Sequence, residues 1–183
     1  MPPTASLTST QRAEQIILFR IGEQLFALSS SSVQEVRGAD SLTGGAIEIS
    51  APGVDKVRQF VRRGPHTLFL VSGAAHFGLA APEGILGFVL RNTRTALLVD
   101  GIERMTAMTK LQALPLSFCQ EERQWYRGLT ALDQTVVPVV RPEGFLSEEE
   151  LALLDQAMPL PEVPTEPTGN DTEAEADLGR EPV

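Results

Sequence analysis

Residues 19–36 read FRIGEQLFALSSSSVQEV, and residues 88–105 read FVLRNTRTALLVDGIERM. Each is an apolar run, a polar break and a second apolar run that leads into a charged segment, the grammar of a β-hairpin followed by a further strand. Laid together without a gap, they place Phe19 on Phe88, Ile21 on Leu90, Ala27 on Ala96, Leu28 on Leu97, Val33 on Ile102 and Val36 on Met105. Arg63-Gly64 before one strand has a counterpart in Arg127-Gly128 before another. Hairpin grammar alone can produce a match this short. If it reflects the fold, the chain holds two similar small β-subdomains, each too small to be comfortable alone and therefore packed on the other.

The surrounding sequence supports a mainly β reading. HTLFLVS (66–72) is a short strand of β-branched and aromatic residues, and TGGAIEISAPG (43–53) is a loop punctuated by Gly44, Gly45, Pro52 and Gly53. SSSSVQEVRG (29–38) reads either as a short Ser-capped helix or as a turn into a strand. LTALDQTVVPVVRPEGF (129–145) ends the β-rich region, and Pro138 predicts an edge strand or a bulge there. LSEEELALLDQAM (146–158) is the clearest helix, with Ser147 as cap, Glu150 as its capping-box partner, and Leu151, Leu153 and Leu154 on one apolar face. Many short strands with frequent turns favour barrels or a sandwich.

The chain has 183 residues, 42% of them hydrophobic, enough for one domain or two small subdomains sharing a core. A net charge of −9 argues against nucleic acid as a partner, since phosphate binding needs clustered Lys and Arg. Much of the acid lies in Glu148–Glu150 and in Glu162, Glu166, Asp171, Glu173, Glu175, Asp177 and Glu181. Residues 1–14 read as a loose leader, 15–157 as the folded region, and 158–183 as a disordered acidic, Pro-rich tail. The opening residues lack the hydrophobic region of a secretory signal, and no run approaches the ~20 apolar residues that would insert directly in a membrane. With Cys119 the single cysteine, a soluble cytoplasmic protein is expected.

Signals of catalysis are weak. His66 and His76 lack carboxylates or cysteines at metal-ligand spacing and read as exposed or partly buried side chains. Cys119 has no partner motif and reads as a small apolar filler. Asp100 and Asp133 could pair as acid and base, but each follows a strand, where Asp usually forms a turn. Ser29–Ser32 lack a nucleophile-elbow setting, and no phosphate-binding glycine loop occurs. Neither an enzyme, a metal nor a cofactor is expected.

Five segments together carry a resemblance: LFRIGEQLFALSSSSVQEVRG (18–38), RRGPHTLFLVSGAAHFGL (62–79), TALLVDGIERM (95–105), WYRGLTALDQTVVPVV (125–140) and FLSEEELALLD (145–155). In order and spacing, the chain over about residues 15–157 resembles CheW-type chemotaxis coupling proteins. The first contains that family's V-Q-E-[IV]-R-G, the second stands at its L-R-G and long strand, and the third is similar to its V-V-D-G-V. The resemblance implies two packed, five-stranded, SH3-like β-barrel subdomains with a C-terminal helix, and no catalysis. It implies an adaptor between the cytoplasmic tip of chemoreceptors, held in a groove between subdomains, and the regulatory domain of a CheA-type histidine kinase, met by the barrel ends.

Carried over by position, Val33, Glu35 and Arg63 fall on residues implicated in partner binding, and Arg37 is displayed beside Glu35. Chemically, Val33 would offer an apolar contact, Glu35 a charge that selects a basic group, and Arg63 a bidentate donor for a carboxylate. The alternatives are core for Val33, a solvated turn for Glu35 and a structural salt bridge for Arg63. The chain departs from the family pattern at Val71 and Gly73, where Asp and Arg are common, and at Arg141. Those departures imply a changed docking face. They leave room for a divergent regulatory module of a motility or other pathway outside a receptor array.

Overall fold

The structure, a computed structural model, describes residues 13–159, so the expectations for the leader and the acidic tail lie almost wholly outside the described residues. Eleven strands form two sheets. In chain order they are β1 (Gln15–Ile21), β2 (Gln24–Ser29), β3 (Val33–Gly38), β4 (Ile47–Glu48), β5 (Val57–Arg63), β6 (His66–Ser72), β7 (Leu86–Leu90), β8 (Thr95–Val99), β9 (Gly101–Ala107), β10 (Tyr126–Leu132) and β11 (Thr135–Val140). The described residues also form four α-helices: α1 (Ala39–Thr43), α2 (Gly73–His76) and α3 (Glu122–Trp125) between strands, and α4 (Glu148–Ala157) after the last. A single 3-10 turn, Ser30–Ser32, separates β2 from β3, so SSSSVQEVRG is both a short helical turn and a strand.

One sheet has the order β10-β11-β2-β1-β9 and the other β3-β7-β8-β6-β5-β4. The first strands of each half make an antiparallel hairpin, β1–β2 and β7–β8. The third strand of each half then leaves its own hairpin for the other sheet: β3 pairs with β7, and β9 pairs with β1. A second hairpin, β5–β6 or β10–β11, completes each sheet through a parallel contact, β6 on β8 and β11 on β2. The echo between 19–36 and 88–105 is therefore a repeated topology with exchanged third strands, and β4 is an addition to one half. The Arg-Gly pairs do not share in it. Arg63 ends β5 and Gly64 lies in the turn beyond, whereas Arg127 and Gly128 lie inside β10. The place of Gly64 (φ +58°) is taken by Asp133 (φ 49°).

Both sheets are curled. Three strands separate β3 from β5, which a flat sheet would hold roughly 19 Å apart. Yet the side chains of Glu35 and Arg63 form an ion pair. In the other sheet the outermost strands are linked likewise, Arg104 of β9 pairing with Asp133 at the β10–β11 turn. Each sheet thus closes on itself as a small barrel.

Apolar side chains divide among three clusters. Ile16, Leu18, Ala27, Met108, Val137 and Val139 fill the first barrel, and Leu42, Leu68, Leu70, Val89, Ala96 and Leu98 fill the second. Between them a larger shared core holds Ile17, Phe19, Ile21, Phe69, Phe88 and Leu97 among others. β1 is buried on both faces, which is why it reads as an unbroken apolar run rather than an alternating one. Phe19 and Phe88, matched by the echo, meet edge to face in the shared core with ring centroids 5.4 Å apart.

The C-terminal helix returns to the second barrel. Its capping box is formed, with Ser147 Oγ accepting from the Glu150 amide and Glu150 accepting from the Ser147 amide. Leu154 is fully buried and Leu151 half-buried, but Leu153 is 41% exposed, because a helical face recurs every three or four residues and 153 falls outside it. Lys56 Nζ binds Glu150 Oε1 at 2.7 Å, and Arg94 clamps Asp155 with two bonds of 2.6 and 2.8 Å.

Several expectations are corrected. Pro138 lies in an interior strand, between β10 and β2, one pair away from a bulge on β10. It is tolerated where β11 and β2 share a single paired position, so little ladder depends on its missing N–H. Cys119 is exposed rather than a filler. His66 is exposed, but His76 is buried against Phe77, Trp125 and Phe145, with Lys56 Nζ 3.3 Å from its Nδ1.

Candidate docking face

β3 is an outermost strand of the second sheet, and a register shift between Val33 and Glu35 divides the predicted residues. Val33 is 8% exposed and belongs to the shared core; its carbonyl accepts from Arg91 Nε at 3.2 Å. Glu35 and Arg37 pair with Val89 and Gly87 of β7, and Arg63 with His66 of β6. The structure brings these three side chains together. Arg37 Nε donates to Glu35 Oε2 at 2.9 Å, and Arg63 Nη1 donates to the other carboxylate oxygen. Their side chains are 46% (Arg37), 28% (Glu35) and 33% (Arg63) exposed, so the cluster borders solvent. The hydrogen bond from Arg63, then that from Arg37, holds the Glu35 carboxyl below its ordinary range. Glu35 is thus already satisfied, and the cluster carries one net positive charge. Each guanidinium has five N–H donors, leaving several for a carboxylate from outside.

Two apolar side chains on or next to β3 are exposed, Val36 on the face opposite Glu35 and Arg37. Val36, next to Glu35 in the chain, is 41% exposed, and Ile85, whose carbonyl accepts from Ala39 just past β3, is 69% exposed. Sequence reasoning missed both. Val36 looked like one more apolar residue of a strand, and only its place on an edge exposes it.

A second surface lies between the subdomains. Phe26 of β2, Phe77 after α2, Phe118, Tyr126 and Val136 line a groove of about 330 Å³. Burial, with Glu122 nearby, pushes the Tyr126 hydroxyl up to about 12, so it remains a neutral donor.

The residues weighed for catalysis do not converge. Asp100 accepts the Gly22 amide at 2.5 Å and fixes the β1–β2 turn, while Asp133 serves the ion pair with Arg104. No cluster of three metal-ligating residues occurs among the described residues. Val71 is fully buried in the shared core. A Cβ on Gly73 would come within 2.5 Å of Ile21 Cδ1 and 2.7 Å of the Leu98 carbonyl. Both positions are packing sites, so they do not alter an exposed face as the sequence implied. Arg141 Nε donates to the Tyr126 carbonyl at 2.9 Å.

Residues 15–150 match the model of the CheW-like domain. The chain belongs to the CheW-like domain family. A relative, the probable chemotaxis protein CheW of Rhizobium etli, is 30% identical over 150 residues, covering 76% of this chain and 92% of that protein. The crystal structure of the scaffolding protein TtCheW from Thermoanaerobacter tengcongensis has the same fold, with a TM-score of 0.61 at 12% identity over 78% of this chain and 94% of that one. In this CheW-like chain no helix among the described residues is long and apolar enough to cross a membrane.

Proposed function

We propose that this chain is a non-catalytic cytoplasmic adaptor that couples the tip of chemoreceptors to the regulatory domain of a CheA-type histidine kinase. The observation that carries the reading is the solvent-bordering Arg63–Glu35–Arg37 cluster at the seam where β3 meets the end of β5 in a CheW-like domain. Its spare arginine donors suit a carboxylate. Of the four residues named from the sequence, Glu35, Arg37 and Arg63 make the contact, and Val33 supports the strand from beneath. The aromatic groove is the surface for the receptor's helical tip, because an amphipathic helix binds by laying its apolar face in such a wall. Single contacts of this size are weak and gain from multivalent assembly. The role needs no cofactor, nucleic acid or membrane insertion. The alternative outside a receptor array loses its motive, since Val71 and Gly73 are interior.

The test is calorimetric titration into the regulatory domain of the CheA-type kinase of the same organism, with Arg63→Ala alongside. One-to-one saturable binding, weakened about tenfold in the variant (~1.4 kcal/mol), supports the reading. Absence of binding by the folded protein sinks it for that kinase.

A further inference from the structure

The described chain ends beside β5. Arg62 Nη2 donates to the carbonyl of Pro159 at 3.1 Å, and Arg63, the next residue, turns its side chain to the other face of the strand, where it meets Glu35. That point of departure is fixed from several sides: Lys56 holds Glu150, Arg94 holds Asp155, and Leu154 is buried in the core. α4 therefore runs beside β5, from Lys56 before the strand to Arg62 near its end, and delivers residues 160–183 to the edge that carries Arg63.

The charges at that edge are opposite in sign to those of the C-terminal segment. Residues 160–183 carry seven carboxylates against one arginine, Arg180. Arg62 stands at the departure point, and Arg63, next to it on β5, shares Glu35 with Arg37 of β3. Among the described residues no carboxylate pairs with Arg62. Arg58, also on β5, is a poorer target because Glu48, Asp55 and Glu83 share its groove. Fully extended, residues 160–183 would span roughly 80 Å, so distance is no obstacle.

We propose that the acidic segment 160–183 is an intramolecular competitor for the arginines of β3 and β5, occupying the face that the adaptor reading assigns to an acidic partner. Each exposed pair is weak and is screened by salt. Tethering raises the effective concentration to the millimolar range, which makes such weak pairs count. An incoming acidic partner must displace the segment, so weakly charged partners are filtered out.

The experiment uses the full chain with Cys119→Ser and Thr172→Cys, the new thiol carrying a nitroxide, and reads paramagnetic broadening of backbone amides. At ~20 mM salt the amides of 35–37 and 62–63 should broaden most, and the effect should vanish at ~500 mM salt, where the Debye length is a few Å. It should also vanish when the seven carboxylates are replaced by their amides. Broadening spread evenly over both barrels, or indifferent to salt, overturns the proposal. Broadening seen only between a labelled chain and a separate isotope-labelled chain assigns the segment to a second copy and overturns the intramolecular form. No partner is present in the tube, so failure here leaves the adaptor reading standing, and failure of kinase binding leaves this result standing.

Discussion

Glu35 on β3 and Arg104 on β9 occupy the same position in the two halves of the molecule and carry opposite charges. Each closes its barrel by pairing with the end of a hairpin, Glu35 with Arg63 and Arg104 with Asp133. The architecture needs an ion pair, or something equivalent, at this point, but it is indifferent to which strand supplies the cation. Under the adaptor reading a partner would distinguish them, because the cluster on the second barrel has arginine in excess.

That difference separates structure from recognition. Reversing the pair with Glu35→Arg and Arg63→Asp, together with Arg37→Thr because Thr106 stands at that place beside Arg104, would recreate the order of the first barrel. Stability should return to within ~1 kcal/mol of the parent, as for exposed pairs, while binding to the kinase regulatory domain falls at least about tenfold. Urea midpoints and calorimetry check the two halves of the statement. Undiminished binding by the reversed protein would reduce the cluster to a structural clasp.

Phe19 and Phe88 should report on the unity of the fold. Both are fully buried and touch across the shared core. Because β3 and β9 are exchanged, neither barrel is complete without the other half. Phe19→Ala and Phe88→Ala should each cost ~3–5 kcal/mol, and Trp125 fluorescence and far-ultraviolet circular dichroism should still unfold together. Separate transitions for the two signals would contradict a single cooperative core.

His76 predicts a pH dependence. Burial first, then the Lys56 charge, pushes its pKa from 6.5 down to about 3. The unfolded chain therefore takes up this proton before the folded one does. The contribution is whole above pH 6.5 and is lost as pH falls towards 3, at up to ~1.4 kcal/mol per pH unit. Glu35 and Glu14, both held below the ordinary carboxylate value of 4.5, add their own loss in more acid solution. His76→Phe fills the same aromatic surroundings without a titrating group. Its urea midpoint should stay flat between pH 7 and 5, where the parent's declines. Equal slopes in the two proteins would refute the assignment.

The residues differ in how openly they declare themselves. The repeated hairpins at 19–28 and 88–97 were legible because their inward-facing side chains, Phe19 with Phe88 and Leu28 with Leu97, are constrained by the same packing. The capping box at Ser147 and Glu150 was legible because it is made within one turn of chain. Val33 and Ile102 show where the echo stops carrying information: one is 8% exposed and the other 42%. The exchanged strands run against different surroundings, and no local pattern records which neighbour a strand will find. Pro138 misled for the same reason, since an interior strand with one paired position on one side looks in sequence like an edge.

What the sequence determined by itself is what short-range chemistry can enforce: strand and turn positions, the capped helix, the repeat, and the acid of residues 160–183. Tertiary structure alone decided that β3 and β9 change places, that Val71 and Gly73 are interior, that Glu35, Arg37 and Arg63 gather at one seam, and that the carbonyl of Pro159 meets Arg62. The physical reason is range. Turns and caps are bonded among neighbours in the chain, whereas the Arg63–Glu35 and Arg62–Pro159 contacts join residues 28 and 97 positions apart, and they exist only after the sheet has curled and α4 has been carried back across it.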